Sequence, residues 1–268
     1  MLNPLIIAIV CFLASTLGPL CGIGGGVTIK PIVDSLGVMG MATTSFLSSL
    51  TVLTMSLSTL AQQGWARARH PERPATPYPP TALPLSIGAA TGGVAGKVVF
   101  NVISGSLGSA ETVGAIQAAV LFALSATAIA YTLLRSRVST LHVAGAVPSA
   151  LIGAVTGAMW AFLGIGGGPF NLVILTLLFS EQTRAAARES ILIIAFSQVA
   201  SLVYTIASGS VPAFEPLMLV MMVAMAVAGS VAGKGIASRI TDRGTDVLYA
   251  LTLIVVMLLS ARNFLVLL

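Results

Sequence analysis

Two runs of glycine, with a lysine, a carboxylate and a few neutral polar residues close behind them, carry what chemistry this chain can do. Gly22-Ile23-Gly24-Gly25-Gly26 stands in apolar sequence, and the same five residue types recur 142 positions later as Gly164-Ile165-Gly166-Gly167-Gly168. Consecutive glycines in an apolar helix interrupt its ladder and expose backbone N–H groups, which lipid tolerates only where the break is covered by protein or lines a cavity. A helix resuming after such a break points its N-terminus at it, and the helix dipole and free N–H groups there attract an anion. Lys30, one turn beyond the first run, places an ammonium within reach of that anion. Lysine inside a membrane segment is expensive and usually functional; snorkelling to the interface is the other reading. Asn171 follows the second run at nearly the equivalent place, and Thr28, Ser45, Ser190 and Gln198 are further hydroxyl or amide candidates. The candidate anion-binding set is therefore Gly24, Gly25, Gly26, Thr28, Lys30, Ser45, Gly166, Gly167, Gly168, Asn171, Ser190 and Gln198. Asp34, four residues after Lys30, is either a proton carrier or the i+4 ion-pair partner of that lysine, and both readings stay open.

Other chemistries find no residues. His70 and His142 have no Cys, His, Asp or Glu at ligand spacing, so neither a metal site nor any other cofactor is expected. No Gly-x-Ser-Gly occurs and no histidine stands mid-span to activate a serine, so the chain does not read as an enzyme. The glycine runs follow no strand, which excludes a dinucleotide fingerprint. Cys11 and Cys21 lie ten positions apart on one helix, about 15 Å of rise, too far for a disulfide; they read as lipid-facing or packing residues.

The elements that must position these residues are membrane helices. Hydrophobic residues make up 56% of 268 residues, charged residues 8%, and the mean hydropathy is +1.01; a soluble domain carries about 25% charged residues. Unbroken apolar stretches are expected at 4–21, 43–62, 83–101, 113–134, 143–163, 186–208, 216–238 and 246–267. Shorter ones at 27–38 and 169–180 follow the glycine runs, each too short to cross alone. The first stretch lacks a basic n-region and reads as a retained span. If the short segments complete crossings, Arg67, Arg69, Arg73, Arg135, Arg137, Arg184, Arg188, Arg239 and Arg243 fall on one side, and the opposite connections hold Glu111 and Glu215 without a basic residue. Re-entrant segments would move the last four of those arginines across. The positive-inside rule selects the first arrangement, with both termini outside, and it accounts for the net charge of +5 without nucleic acid. Arg184 and Arg188 share a helix face beside Glu181 and Glu189, as a cytoplasmic vestibule for anions or as ordinary anchors. The run from Pro71 to Pro80 reads as a stiff linker.

Val94-Ala95-Gly96-Lys97 recurs as Val231-Ala232-Gly233-Lys234, so two echoes at spacings of 142 and 137 make the chain one unit written twice. The expected fold is an all-α polytopic membrane protein of two inverted repeats, 1–140 and 141–268, each with four long helices and a short half-helix after its glycine run. Duplicated halves with a glycine break in each are the pattern of a secondary transporter. Lys97 and Lys234 close the third long span of each half and read as interfacial anchors.

The run from Gly22 to Gly26, then Pro31, then Ala42-Thr43-Thr44-Ser45, resembles the first half of the TauE/SafE sulfite exporter (4-toluene sulfonate uptake permease) family. The resemblance spans essentially the whole chain. It implies transport of a small sulfur oxyanion or organosulfonate, such as sulfite, sulfoacetate or thiosulfate, across a bacterial inner membrane. The second half departs from the pattern, with Val173 at the spacing of the proline and Ala187-Arg188-Glu189-Ser190 in place of Ala-x-Thr-Ser. The expected partners are the small anion, the lipid bilayer and, as a candidate, a second copy of the chain. Export is favoured over uptake. The alternative is a non-transporting membrane protein, an intramembrane enzyme or an assembly factor.

Overall fold

A computed structural model describes residues 2–69, 77–107, 110–165, 167, 169–237 and 239–267. Among them the secondary structure is helical, with ten α-helices and no strand. The first five are α1 (Leu2–Cys21), α2 (Gly26–Leu36), α3 (Met41–Arg69), α4 (Ala82–Leu107) and α5 (Ala110–Leu134). The second five are α6 (Ala146–Leu163), α7 (Pro169–Leu178), α8 (Thr183–Ala207), α9 (Pro216–Ala237) and α10 (Asp242–Leu267). Eight of them are long and apolar enough to cross a membrane; α2 and α7 are the short ones, and each begins at a glycine run. The long apolar helices satisfy their own backbone polar groups, as lipid requires.

Breaks occur where the residue type permits them. Gly22 and Gly164, the first glycine of each run, both have φ of +66°, a left-handed conformation that a side chain would strain. Gly37, at +62°, ends α2 and returns its N–H to the carbonyl of Asp34.

Two seams of small residues hold the halves together. Along α4, a methyl added at Gly88, Gly92 or Gly96 would strike the backbone of Ala150, Ala154 or Ala158 of α6, respectively. Along α9, Gly229 and Gly233 press in the same way on Phe12 and Thr16 of α1. In both seams the residue numbers rise together, so the helices run parallel. This close approach is small-xxx-small packing, with dispersion contacts replacing the missing hydrophobic drive.

Two helices run furthest beyond the ends of their apolar stretches. α3 runs to Arg69 rather than to about 62, its end carried past the apolar sequence by exposed residues and by Arg69 lying 3.9 Å from the centroid of the Trp65 ring. α4 runs to Leu107 rather than to about 101. Lys97 is therefore ten residues inside a helix, about 15 Å of rise from its end, which corrects its reading as a terminal anchor. Lys234 does lie in the last turn of α9, where its Nζ donates to the carbonyl of Gln62 at 2.6 Å.

Polar contacts sort the connections into two ends. At one, Arg135 donates to Thr183 at 2.9 Å and lies 4.0 Å from Asp246, Arg184 donates to the carbonyl of Ile240 at 3.0 Å, and Arg188 to that of Pro77 at 3.4 Å. At the other, Arg262 donates to the carbonyl of Ser35 at 3.2 Å, and Thr43 to that of Ala213 at 3.0 Å. The arginine-bearing connections thus share one end, as the charge pattern requires. Arg262 stands at the opposite end, inside the stretch read as purely apolar.

Candidate functional site

The two glycine runs meet. A methyl on Gly24 would lie 2.6 Å from the carbonyl oxygen of Gly167, and one on Gly26 would collide with the carbonyl of Ile165. Neither approach leaves room for a Cβ on the first run, so at Gly24 and Gly26 glycine is required for packing. The residues of the first run are buried throughout, so its irregular backbone is covered by protein. Gly25 faces elsewhere, towards the carbonyl of Ala14 on α1.

Each break is also braced by a long helix of the opposite half. Gly22 packs against Ala187 of α8, and its carbonyl accepts a hydrogen bond from Ser190 Oγ at 2.7 Å. Gly164 packs against Ser45 of α3: a methyl there would stand 2.6 Å from Ser45 Oγ and 3.3 Å from Lys30 Cε. Side chains of the first half therefore reach the break of the second. Ser45 Oγ is buried and has no partner among the described residues.

Lys30 is 4% exposed, and its Nζ lies 2.6 Å from Asp34 Oδ2. Of the two roles for Asp34, the geometry displays ion pairing. The pair borders a cavity of about 30 Å³ lined also by Gln117, Ser260 and Asn263. Gln117 Nε2 donates to the carbonyl of Phe162 at 2.6 Å, and Asn263 Nδ2 to that of Pro31 at 3.0 Å, while Ser260 Oγ is buried without a partner among the described residues. Asp34 and Asn263 also line a vestibule of about 400 Å³ that opens between α2, α5 and α10, with Glu111 and Arg262 on its walls.

On the second break, Asn171 accepts a hydrogen bond from Trp160 Nε1 at 2.8 Å through Oδ1. Its Nδ2 is buried without a partner among the described residues and faces Gly167, where a methyl would stand 3.5 Å away. The indole fixes the amide so that a donor points at the break.

Of the expected set, the structure brings together Gly24, Gly26, Lys30, Ser45, Gly167 and Asn171, with Ser190 tied to the carbonyl of Gly22. Thr28 and Gln198 are polar residues whose side-chain oxygens are buried without partners among the described residues, and no described side-chain contact joins them to the breaks. Gly166, Gly168, His70 and Arg73 lie outside the described residues.

Sequence reasoning missed Gln117, Ser260 and Asn263, although an amide or hydroxyl inside an apolar stretch was a readable signal. Arg184 and Arg188 prove to be ties between connections, and the Arg188 guanidinium also lies 5.0 Å from the centroid of the Tyr78 ring. Burial raises the Tyr78 hydroxyl above its ordinary pKa, which keeps it a neutral donor to Gln63 at 3.3 Å. Glu189 turns inward and is 1% exposed, and neither of its carboxyl oxygens has a hydrogen-bond partner among the described residues. Cys11 and Cys21 are buried packing residues, both free.

The family model described as Sulfite exporter TauE/SafE matches residues 7–262 of the chain. No curated protein and no solved structure matches it.

Proposed function

Because the chain belongs to the TauE/SafE sulfite exporter family, a family of membrane transporters, we propose that it carries a small sulfur oxyanion or short organosulfonate, with the anion held where the two glycine breaks meet. The observation that carries this reading is the convergence at Gly164, where Lys30 and a buried, unpartnered Ser45 hydroxyl from the first half line the break of the second. Lys30 supplies an ammonium donor, while Ser45 and the Asn171 amide supply neutral donors. Charge-assisted hydrogen bonds of this kind are about twice as strong as neutral ones.

The halves 1–140 and 141–268 act as two inverted repeats in this reading. Support comes from the exchanged packing, in which α1 lies on α9 and α6 lies on α4, and from the matched contacts Gly22–Ala187 and Gly164–Ser45, which a shift of 142 positions relates (22 to 164, 45 to 187). The half-helices also leave the centre in opposite directions: α2 ends beside Arg262, and α7 ends near Leu141, whose N–H donates to Leu177 at 2.7 Å. Rocking of one bundle against the other would then expose one site to each side in turn. A space of about 30 Å³ at Lys30 admits water and not a four-atom oxyanion, so the geometry matches a closed state reached from the larger vestibule.

The arginine-rich end faces the cytoplasm of a bacterial inner membrane, leaving both termini outside. Export of a monovalent anion gains about 2.3 kcal/mol per 100 mV from an inside-negative potential, and needs no coupling ion. Ser45→Cys, in a protein whose Cys11 and Cys21 have been replaced by Ala, tests the site. Reaction of that thiol with a membrane-impermeant reagent, slowed by ethanesulfonate, which does not consume the reagent as sulfite would, and not by chloride, is the expected result. A thiol that reacts equally with and without ethanesulfonate contradicts the reading.

A further inference from the structure

Lys97 is a charged residue that this reading does not use, and the described residues around it supply no counter-charge. It projects from the interior of α4 into a cavity of about 40 Å³ that it shares with Ser45, Asn101 and Thr205. Among the described residues it forms no ion pair and no hydrogen bond, and its one described partner is the Phe100 ring, with Nζ 5.8 Å from the centroid. Its counterpart in the second copy of the repeat, Lys234, is tied to the carbonyl of Gln62 at a helix end. An ionisable group inside a membrane protein is almost always paired or placed on a substrate path. Among the described residues Lys97 is not paired.

Ser45 connects this lysine with the site. The same side chain lines the Lys97 cavity and packs on Gly164 beside Lys30, so both lysines reach the surroundings of Ser45. Charge balance then assigns different tasks to the two lysines. Lys30 is cancelled by Asp34 at 2.6 Å, so the pair binds through hydrogen bonds and leaves no net charge. Lys97 leaves the region with one positive charge.

We propose that Lys97 binds the transported anion from the Ser45 side and sets the valence of the site, so that it takes a singly charged anion, hydrogensulfite or a short alkylsulfonate, in preference to a dianion such as thiosulfate. The inference rests on the transport reading above. Neutralising Asp34 would add a second net charge and reverse the preference.

The test is binding of ethanesulfonate and of thiosulfate to the purified, detergent-solubilised full chain, in the wild type and in Lys97→Gln, Lys97→Arg and Asp34→Asn. Lys97→Gln should weaken ethanesulfonate binding about ten- to a hundred-fold, the range for a lost charge-assisted hydrogen bond, and Lys97→Arg should restore most of it. Asp34→Asn should shift the ratio of the two affinities towards thiosulfate by about ten-fold or more, the result of one added unit charge nearby. Wild-type affinity for ethanesulfonate in Lys97→Gln would overturn the assignment, as would an unchanged ratio in Asp34→Asn. Should the wild type bind neither anion, the transport reading itself fails.

Discussion

Gly24 and Gly167 meet backbone to backbone: a methyl built on Gly24 would stand 2.6 Å from the carbonyl oxygen of Gly167. The contact joins two segments that the chain separates by 143 positions, and it leaves no room for a side chain.

Alanine at Gly24 or Gly26 should therefore push the two breaks apart. Overpacking of this kind costs about 1–3 kcal/mol, so thermal unfolding of the purified protein should begin at lower temperature. Gly64→Ala is the control, because nothing lies within 4 Å of a methyl there and the residue is inside α3. It should stabilise by about 0.5–1 kcal/mol, the usual gain of alanine over glycine in a helix. Equal behaviour of all three variants would show that the breaks do not touch.

The buried Lys30–Asp34 pair yields a double-mutant prediction. Breaking such a pair by removing one partner costs about 3–5 kcal/mol, because it leaves a charge buried alone. Lys30→Gln and Asp34→Asn should each lower the unfolding temperature. The double variant, with neither charge, should lie closer to wild type than either single one. A double variant that loses the sum of the two would mean that the groups act independently.

The fold was legible in the sequence to the extent that composition and periodicity govern it. Eight long apolar stretches became eight long helices, and the short helices after the glycines start at Gly26 and Pro169, where no continuing ladder was expected. The site was legible in part. Glycine, lysine and asparagine in apolar sequence are unusual enough to be noticed without coordinates, and Lys30, Asn171, Gly24 and Gly167 converge. Lys97 was misread because hydropathy marks where apolar residues stop, while a helix continues as long as its backbone ladder does, here to Leu107. Gln117 and Asn263 were missed for a different reason. Each belongs to a long span remote in sequence from either glycine run, and only the tertiary fold brings it to the pocket beside Lys30.

Membrane orientation is open to direct measurement. A reporter fused to the C-terminus should prove periplasmic, and one inserted in the 70–76 connection should prove cytoplasmic, because the arginine-bearing connections share an end. The opposite pair of results would place those arginines outside.

Flux of radiolabelled sulfite through proteoliposomes bearing the purified protein, compared with sulfoacetate, thiosulfate and chloride, addresses the central claim most directly. Protein-dependent movement of sulfite is expected, accelerated by a membrane potential negative on the anion's side, slowed in Lys30→Gln and Lys97→Gln, slower for the dianions sulfoacetate and thiosulfate, and absent for chloride. No flux of any sulfur anion, from a protein shown to be folded and inserted, would contradict it and would leave the paired glycine breaks as a packing device in a membrane protein that does not transport.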